Sequence, residues 1–259
     1  MTSAAVSPPA FRFRVGPEFH AVPLGIGDDE DAFDEHMRAF ARDYWGDGEE
    51  LEPLRRLTAA MYTANAENLV AGGAVYNALG IFPVGGSADG TEPPERISRA
   101  TLTVSVRELD NPDPYLTAAG IAELLDKAAD GGEGGEVQPV TLPAGPAVVH
   151  IAGSRAVWEL PEGDQPGQER DPGQEPDPGQ EQERFFVRIE VWLPFPDDDR
   201  LLLLCLSTAD VQDLFHYQAV LADIADTITF GEAAEAAVAE AAVADPTPAG
   251  AAASPFTAY

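Results

Sequence analysis

Lysine is almost missing from this chain. Lys127 is the only one, the other 14 basic residues are arginines, and 45 Asp and Glu bring the net charge to −30. So little positive charge excludes nucleic acid as a ligand, because affinity there comes from neutralising phosphates with Lys and Arg. It equally excludes docking on an anionic membrane surface. What it favours is solubility and the attraction of a basic partner. Cysteine is just as scarce. Cys205 stands alone, so no internal disulfide can form and nothing points to an oxidising compartment. Long apolar runs are missing too. The longest in the body, Leu201 to Leu206, is far short of a membrane span. The opening MTSAAVSPPAFRFRV has no charged stretch followed by an apolar one, so no secretory signal is expected. These absences lead to the expectation of a cytoplasmic protein with no membrane insertion. The arginine bias, with abundant Ala and Gly, suggests a GC-rich bacterial genome.

What is present is enough for a sizeable core: 259 residues, 44% of them apolar. Residues 1–10 are read as a disordered N-terminus and 11–230 as a single α+β domain. Inside it, residues 161–184 repeat Pro-Gly-Gln-Glu from Pro166, Pro172 and Pro178 and hold no large apolar residue. Such a segment cannot offset its ordering entropy by burial, so a flexible loop is expected. Residues 231–259 read as a disordered Ala/Pro-rich tail.

Between these, hydrophobic spacing sets the elements. Phe11–Val15 and His20–Leu24 read as short strands. Phe33, Met37, Phe40 and Tyr44 recur at helical spacing over 28–45, with acids in the first turn. A second helix is expected over 50–70, with Leu54, Leu57 and Met61 on one face, ending at Gly72-Gly73. Ala74–Phe82 is a strand. Ile97–Leu109 alternates Ala100, Leu102, Val104 and Val106 with Thr101, Thr103, Ser105 and Arg107, so one face is buried. Asp113 caps a third helix, with Pro114 at its first position, a stripe of Ile121, Leu124, Leu125 and Ala128, and Gly131 as its stop. Val137–Leu142, Ala147–Leu160, Phe185–Leu193 and Leu201–Leu206 form an antiparallel meander. The last is apolar on both faces and should be central, covered on both sides. Ser207 or Thr208 caps a last helix carrying Val211, Leu214, Gln218, Leu221 and Ala225, and Thr227–Phe230 closes the fold. The fold class is α+β: one antiparallel sheet flanked by helices on both faces, an α/β/α sandwich.

The strand LLLLCLSTAD followed by VQDLFHYQAVLADIADTITF, with the turn TLPAGPAVVH before it, resembles the C-terminal part of the PsbP-like α/β/α sandwich superfamily. The likeness reaches loosely over 11–230 and, within that superfamily, is distantly towards LpqN-like actinobacterial proteins. It implies the sandwich fold and the accessory, partner-binding roles common there. It carries no catalytic residue, and neither the signal nor the lipidation cysteine of the LpqN type is expected from the opening residues.

No catalytic, cofactor-binding or metal-binding residue is assigned. His20, His36, His150 and His216 sit in no zinc-binding spacing. Asp213 and His216, one helical turn apart, could form an acid–base dyad, but an exposed pair is the better reading. Asp28, Asp29, Glu30 and Asp31 could collect calcium, yet no EF-hand spacing follows, and an acidic helix start explains them better. Asp197, Asp198 and Asp199 read as a solvated turn. The glycine pairs and the GGEGG of 131–135 fit no phosphate loop, and Ser87 fits no nucleophile elbow. Cys205 should be an inert buried thiol. Trp45, Trp158 and Trp192 read as core or sheet-face residues. The expected function is a non-catalytic accessory module acting by protein–protein contact, its partner possessing basic character if charge decides, with a link to secretion as speculation. The alternative is a small-molecule binder with an apolar pocket between helix and sheet. An uncharacterised enzyme comes third.

Overall fold

The computed structural model describes residues 11–85, 93–109, 113–130, 135–159, 181–196 and 199–231. The expectations for residues 1–10, 161–180 and 232–259, and for Ser87, Gly131, Asp197 and Asp198, lie outside the described residues, as does the side chain of Trp158. The elements run β1 (Phe11–Arg12), β2 (Phe19–Ala21), α1 (Glu30–Trp45), α2 (Glu52–Ala71), β3 (Ala74–Val84), β4 (Arg96–Glu108), α3 (Pro114–Asp130), β5 (Gly135–Leu142), β6 (Gly145–Glu159), β7 (Glu181–Pro194), β8 (Arg200–Thr208), α4 (Leu214–Asp226) and β9 (Thr229–Phe230). Seven strands form one antiparallel sheet in the order β2-β3-β4-β8-β7-β6-β5, and β1 pairs with β9 in a separate two-stranded ladder. No helix among the described residues is long and apolar enough to cross a membrane.

β8 occupies the middle of the sheet, as its two apolar faces demand. Leu201, Leu202, Leu203, Leu204 and Leu206 are all buried. Each fully buried leucine contributes about 1.5–3 kcal/mol. Alternation then assigns the faces. Leu102, Val104, Ile189, Val191, Leu204 and Leu206 lie on the face packed against Tyr217, Leu221, Ile224 and Ala225 of α4. On the opposite face, Met37, Phe40 and Tyr44 of α1 pack with Ile81, and with the half-buried Leu79, Ile97 and Tyr62. α3 lies against β5, β6 and β7, where Val148 and Ala152 are buried. Helices therefore cover both faces, but on the second face they stand apart. Between them Thr101, Thr103, Cys205 and Ser207 remain half-exposed.

Several boundaries move for local reasons. Asp29 caps α1 by accepting from Ala32 N (2.8 Å). Asp113 caps α3 by accepting from Tyr115 N and Leu116 N (2.9 and 3.1 Å). α2 stops at Gly72-Gly73: Gly73 has φ +83° and a Cβ there would meet Val106 O at 2.4 Å, so only glycine fits. β1 is shorter than Phe11–Val15, and β2 spans Phe19–Ala21 rather than His20–Leu24. Ser207 and Thr208 do not cap α4. They complete β8, and a 3-10 turn at Val211–Asp213 leads into the helix. Glu181–Arg184, expected in the repeat loop, pair with Ala156–Glu159 as the start of β7. Gly231 is a described turn residue rather than part of a tail.

The helices do not all pack by their large apolar residues. Leu54, Leu57 and Met61 share one face of α2, and that face is turned to solvent: they are 39%, 57% and 62% exposed. α2 instead buries Ala66 and turns Tyr62, Thr58 and Ala59 inward. Small residues let it approach α1 and the sheet closely, and the larger apolar ones are left outside. On α3, Leu124 is 68% exposed and Ala128 is exposed, while Ala118 is buried.

Candidate functional site

The open part of the second face begins at a cleft of about 710 Å³. Tyr44 of α1 and Tyr62 of α2 form one wall. Ile97, Arg99 and Thr101 of β4 and Ser207 of β8 form the floor. Arg184, Phe185 and Phe186 of β7 close the far side, with Asp210 and Gln212 at the end. Strand alternation puts Arg99 and Thr101 on this face together. The backbone of Arg99 is clamped from both directions. Asp210 Oδ2 accepts its N–H at 2.7 Å and Thr208 Oγ1 donates to its carbonyl at 2.7 Å, while Asp210 N donates to Thr208 Oγ1 at 2.9 Å.

The guanidinium of Arg99 is hydrogen-bonded to the Tyr44 hydroxyl. Burial raises the Tyr44 pKa and the Arg99 charge partly opposes it. Burial, with neighbouring Tyr44, pushes the Tyr62 hydroxyl up to about 12. Both hydroxyls are therefore protonated at neutral pH and able to donate. Among the described residues, neither the guanidinium of Arg99 nor that of Arg184 has a carboxylate partner, in a chain where acids outnumber bases three to one. The arginines of the groove between α1 and α2 differ. Arg38, Arg42, Arg55 and Arg56 are each paired, with Asp34, Asp47 and Glu52.

Beyond the cleft a polar row crosses five strands. Asn77, Thr103, Cys205, Glu190 and His150 are register partners in turn on β3, β4, β8, β7 and β6. Thr103 Oγ1 donates to Asn77 Oδ1 at 3.1 Å. His150 Nδ1 and Glu190 Oε2 are hydrogen-bonded at 2.9 Å, both side chains nearly buried, and Trp192 Nε1 donates to the same oxygen at 3.3 Å. A Cβ at Gly135 would stand 2.8 Å from His150 Nε2, so the start of β5 must be glycine for the ring to fit. The Cys205 thiol is pushed up to about 11 by burial and the Glu190 charge. It is half-exposed rather than fully buried, but protonated at neutral pH and a poor nucleophile.

The remaining sequence candidates are dispersed. Asp213 does not join His216 in a dyad. It forms a two-pronged pair with Arg96, which holds its carboxyl below the usual range, and His216 stacks edge-on to Phe82 with centroids 5.0 Å apart. Asp28 reaches His36 Nδ1 at 2.9 Å while Asp29 serves as helix cap, so the acids of 28–31 do not converge. His20 approaches Asp43 at 3.4 Å. Asp199 contributes its carbonyl to Leu109 N. Trp45 donates to Thr58 Oγ1 at 2.8 Å. The cleft itself was missed. Its only signal in the sequence was the polar alternation of β4, Arg99 and Thr101 included.

No family model matches the chain, and no curated protein matches it. Among solved structures, LpqN, involved in cell envelope biogenesis of Mycobacterium tuberculosis, is similar over 86% of this chain and 84% of its own, at 9% identity and a TM-score of 0.38.

Proposed function

We propose that this protein is a non-catalytic accessory module acting by protein–protein contact, with the outer ridge of α2 as its contact surface. The observation that carries the reading is the exposure of Leu54, Leu57 and Met61. Their i, i+3, i+7 spacing puts them in one line along the helix. A contiguous apolar ridge on a soluble body marks a site for another surface. Three aligned anchors suit a partner groove that reads one helix face. The −30 net charge favours a basic partner, since it speeds encounter with one. Kinship with the PsbP-like superfamily and a cytoplasmic location belong to the same proposal.

The test is affinity capture from the native cell extract, followed by mass spectrometry, with wild type and the Leu57→Asp/Met61→Asp variant side by side. Both substitutions are on solvent-facing positions, so the melting temperature should stay the same. Proteins captured by the wild type and lost by the variant support the reading. Identical sets from both, or no enriched protein from either, would overturn it.

A further inference from the structure

We infer that the cleft between α1, α2 and the sheet is a binding site for a small anionic molecule with a flat apolar body, held at its charged end by Arg99 and Arg184. Three observations converge. The first is charge. Among the described residues the guanidiniums of these two have no carboxylate partner, so their donors are available to an incoming carboxylate or phosphate. Bidentate geometry suits arginine to either anion.

The second is positioning. Asp210 and Thr208 hold the Arg99 backbone, and Tyr44 holds its guanidinium. An arginine fixed at both ends binds with less loss of side-chain freedom than a free one. The Asp210 carboxylate is occupied by the Arg99 N–H, and Glu183 by Arg155 at 3.0 Å. The two acids beside the cleft are therefore already engaged.

The third is shape. A volume of about 710 Å³ falls within the about 300–1,000 Å³ typical of small-ligand clefts. Tyr62 and Phe186 line the cleft with ring surface, the nearly buried Tyr44 adds its hydroxyl end, and Thr101 and Ser207 lie on the floor. The arrangement matches a planar molecule carrying one anionic group. It fits neither a bare inorganic ion, which would leave the aromatic wall unused, nor a neutral ring, which would leave the guanidiniums unused.

The experiment is calorimetric titration of the full chain with naphthalene-2-carboxylate, 2-naphthyl phosphate, naphthalene-2-carboxamide and inorganic phosphate. The first two distinguish the anion types. Saturable binding of at least one of them, with the amide and inorganic phosphate each about tenfold weaker or more, is expected. Arg99→Gln and Arg184→Gln should each weaken the anion about ten- to a hundredfold, the value of a lost charge-assisted hydrogen bond. The melting temperature of Arg184→Gln should not move. The Leu57→Asp/Met61→Asp variant should bind the anion like wild type, so this site and the α2 ridge stand or fall separately. The inference is overturned if no probe saturates, if the amide binds as well as the carboxylate, or if both arginine variants keep full affinity.

Discussion

Glu190 shows how much one side chain can hold when its sheet face is nearly closed. It accepts from His150 and Trp192 and lies 3.8 Å from Arg188. Removing Glu190 leaves His150 without its partner, and removing His150 leaves Glu190 with only Trp192 and the more distant Arg188; each loss costs roughly 1–3 kcal/mol. Replacing both removes the polar groups together. Glu190→Leu and His150→Leu should therefore each lower stability by about that amount, and the double variant should lose clearly less than their sum. Urea unfolding of all four proteins measures this, and simple additivity would show the pair is uncoupled. The titratable groups with raised pKa make a second prediction. Tyr62 is pushed to about 12 and Cys205 to about 11, and burial also raises Tyr44, Tyr76 and Tyr217. The unfolded chain releases these protons first, from about pH 8.5 for the thiol and about 10 for the phenols. The stabilisation is complete below those values and is lost as pH rises through the folded ones. Urea midpoints should fall between neutral pH and about pH 10.5, and tyrosinate absorbance should appear later in the folded protein than in the unfolded one. A midpoint indifferent to this change would contradict the assignment.

Among the elements, β8 and β4 were the most legible because burial alone sets their patterns. Six apolar residues in a row demand a central strand, and strict alternation demands a one-sided one. In α2, periodicity points to where the large apolar residues are and to the face they share. It does not say whether a helix packs by them or by its alanines, and Ala59 and Ala66 face inward. The cleft was illegible for another reason. It assembles side chains from α1, α2, β4, β7 and β8, and no local spacing reports the register that brings them together. The polar row has the same origin: the partners from Asn77 to His150 meet only through four strand pairings. Register does locate one element sharply. Glu159 of β6 and Glu181 of β7 are direct partners, so the repeat between them joins two adjacent strand ends. Replacing residues 160–180 by Asn-Gly, which favours a two-residue hairpin turn, should keep the fold. Loop closure costs about 0.6 kcal/mol per doubling of length, so the shortened protein should gain roughly 2 kcal/mol. A loss of stability in thermal melts would mean that the segment packs on the body.

For the whole molecule, charge dominates. A net −30 on one body opposes folding by self-repulsion. The Debye length shrinks from about 30 Å at 0.01 M salt to about 10 Å at 0.1 M, so the melting temperature should rise between those concentrations. A fall would show that favourable ion pairs, such as Arg96 with Asp213, outweigh the repulsion. The β1–β9 ladder also governs the molecule's response to tension. Phe11 faces Phe230 and Arg12 faces Thr229, so a pull on the two chain ends separates the outermost rung first. Each rung then carries the load alone, in a zipper, instead of sharing it in shear. Stretched between tethers, the protein should open this clasp at low force before the seven-stranded sheet is loaded.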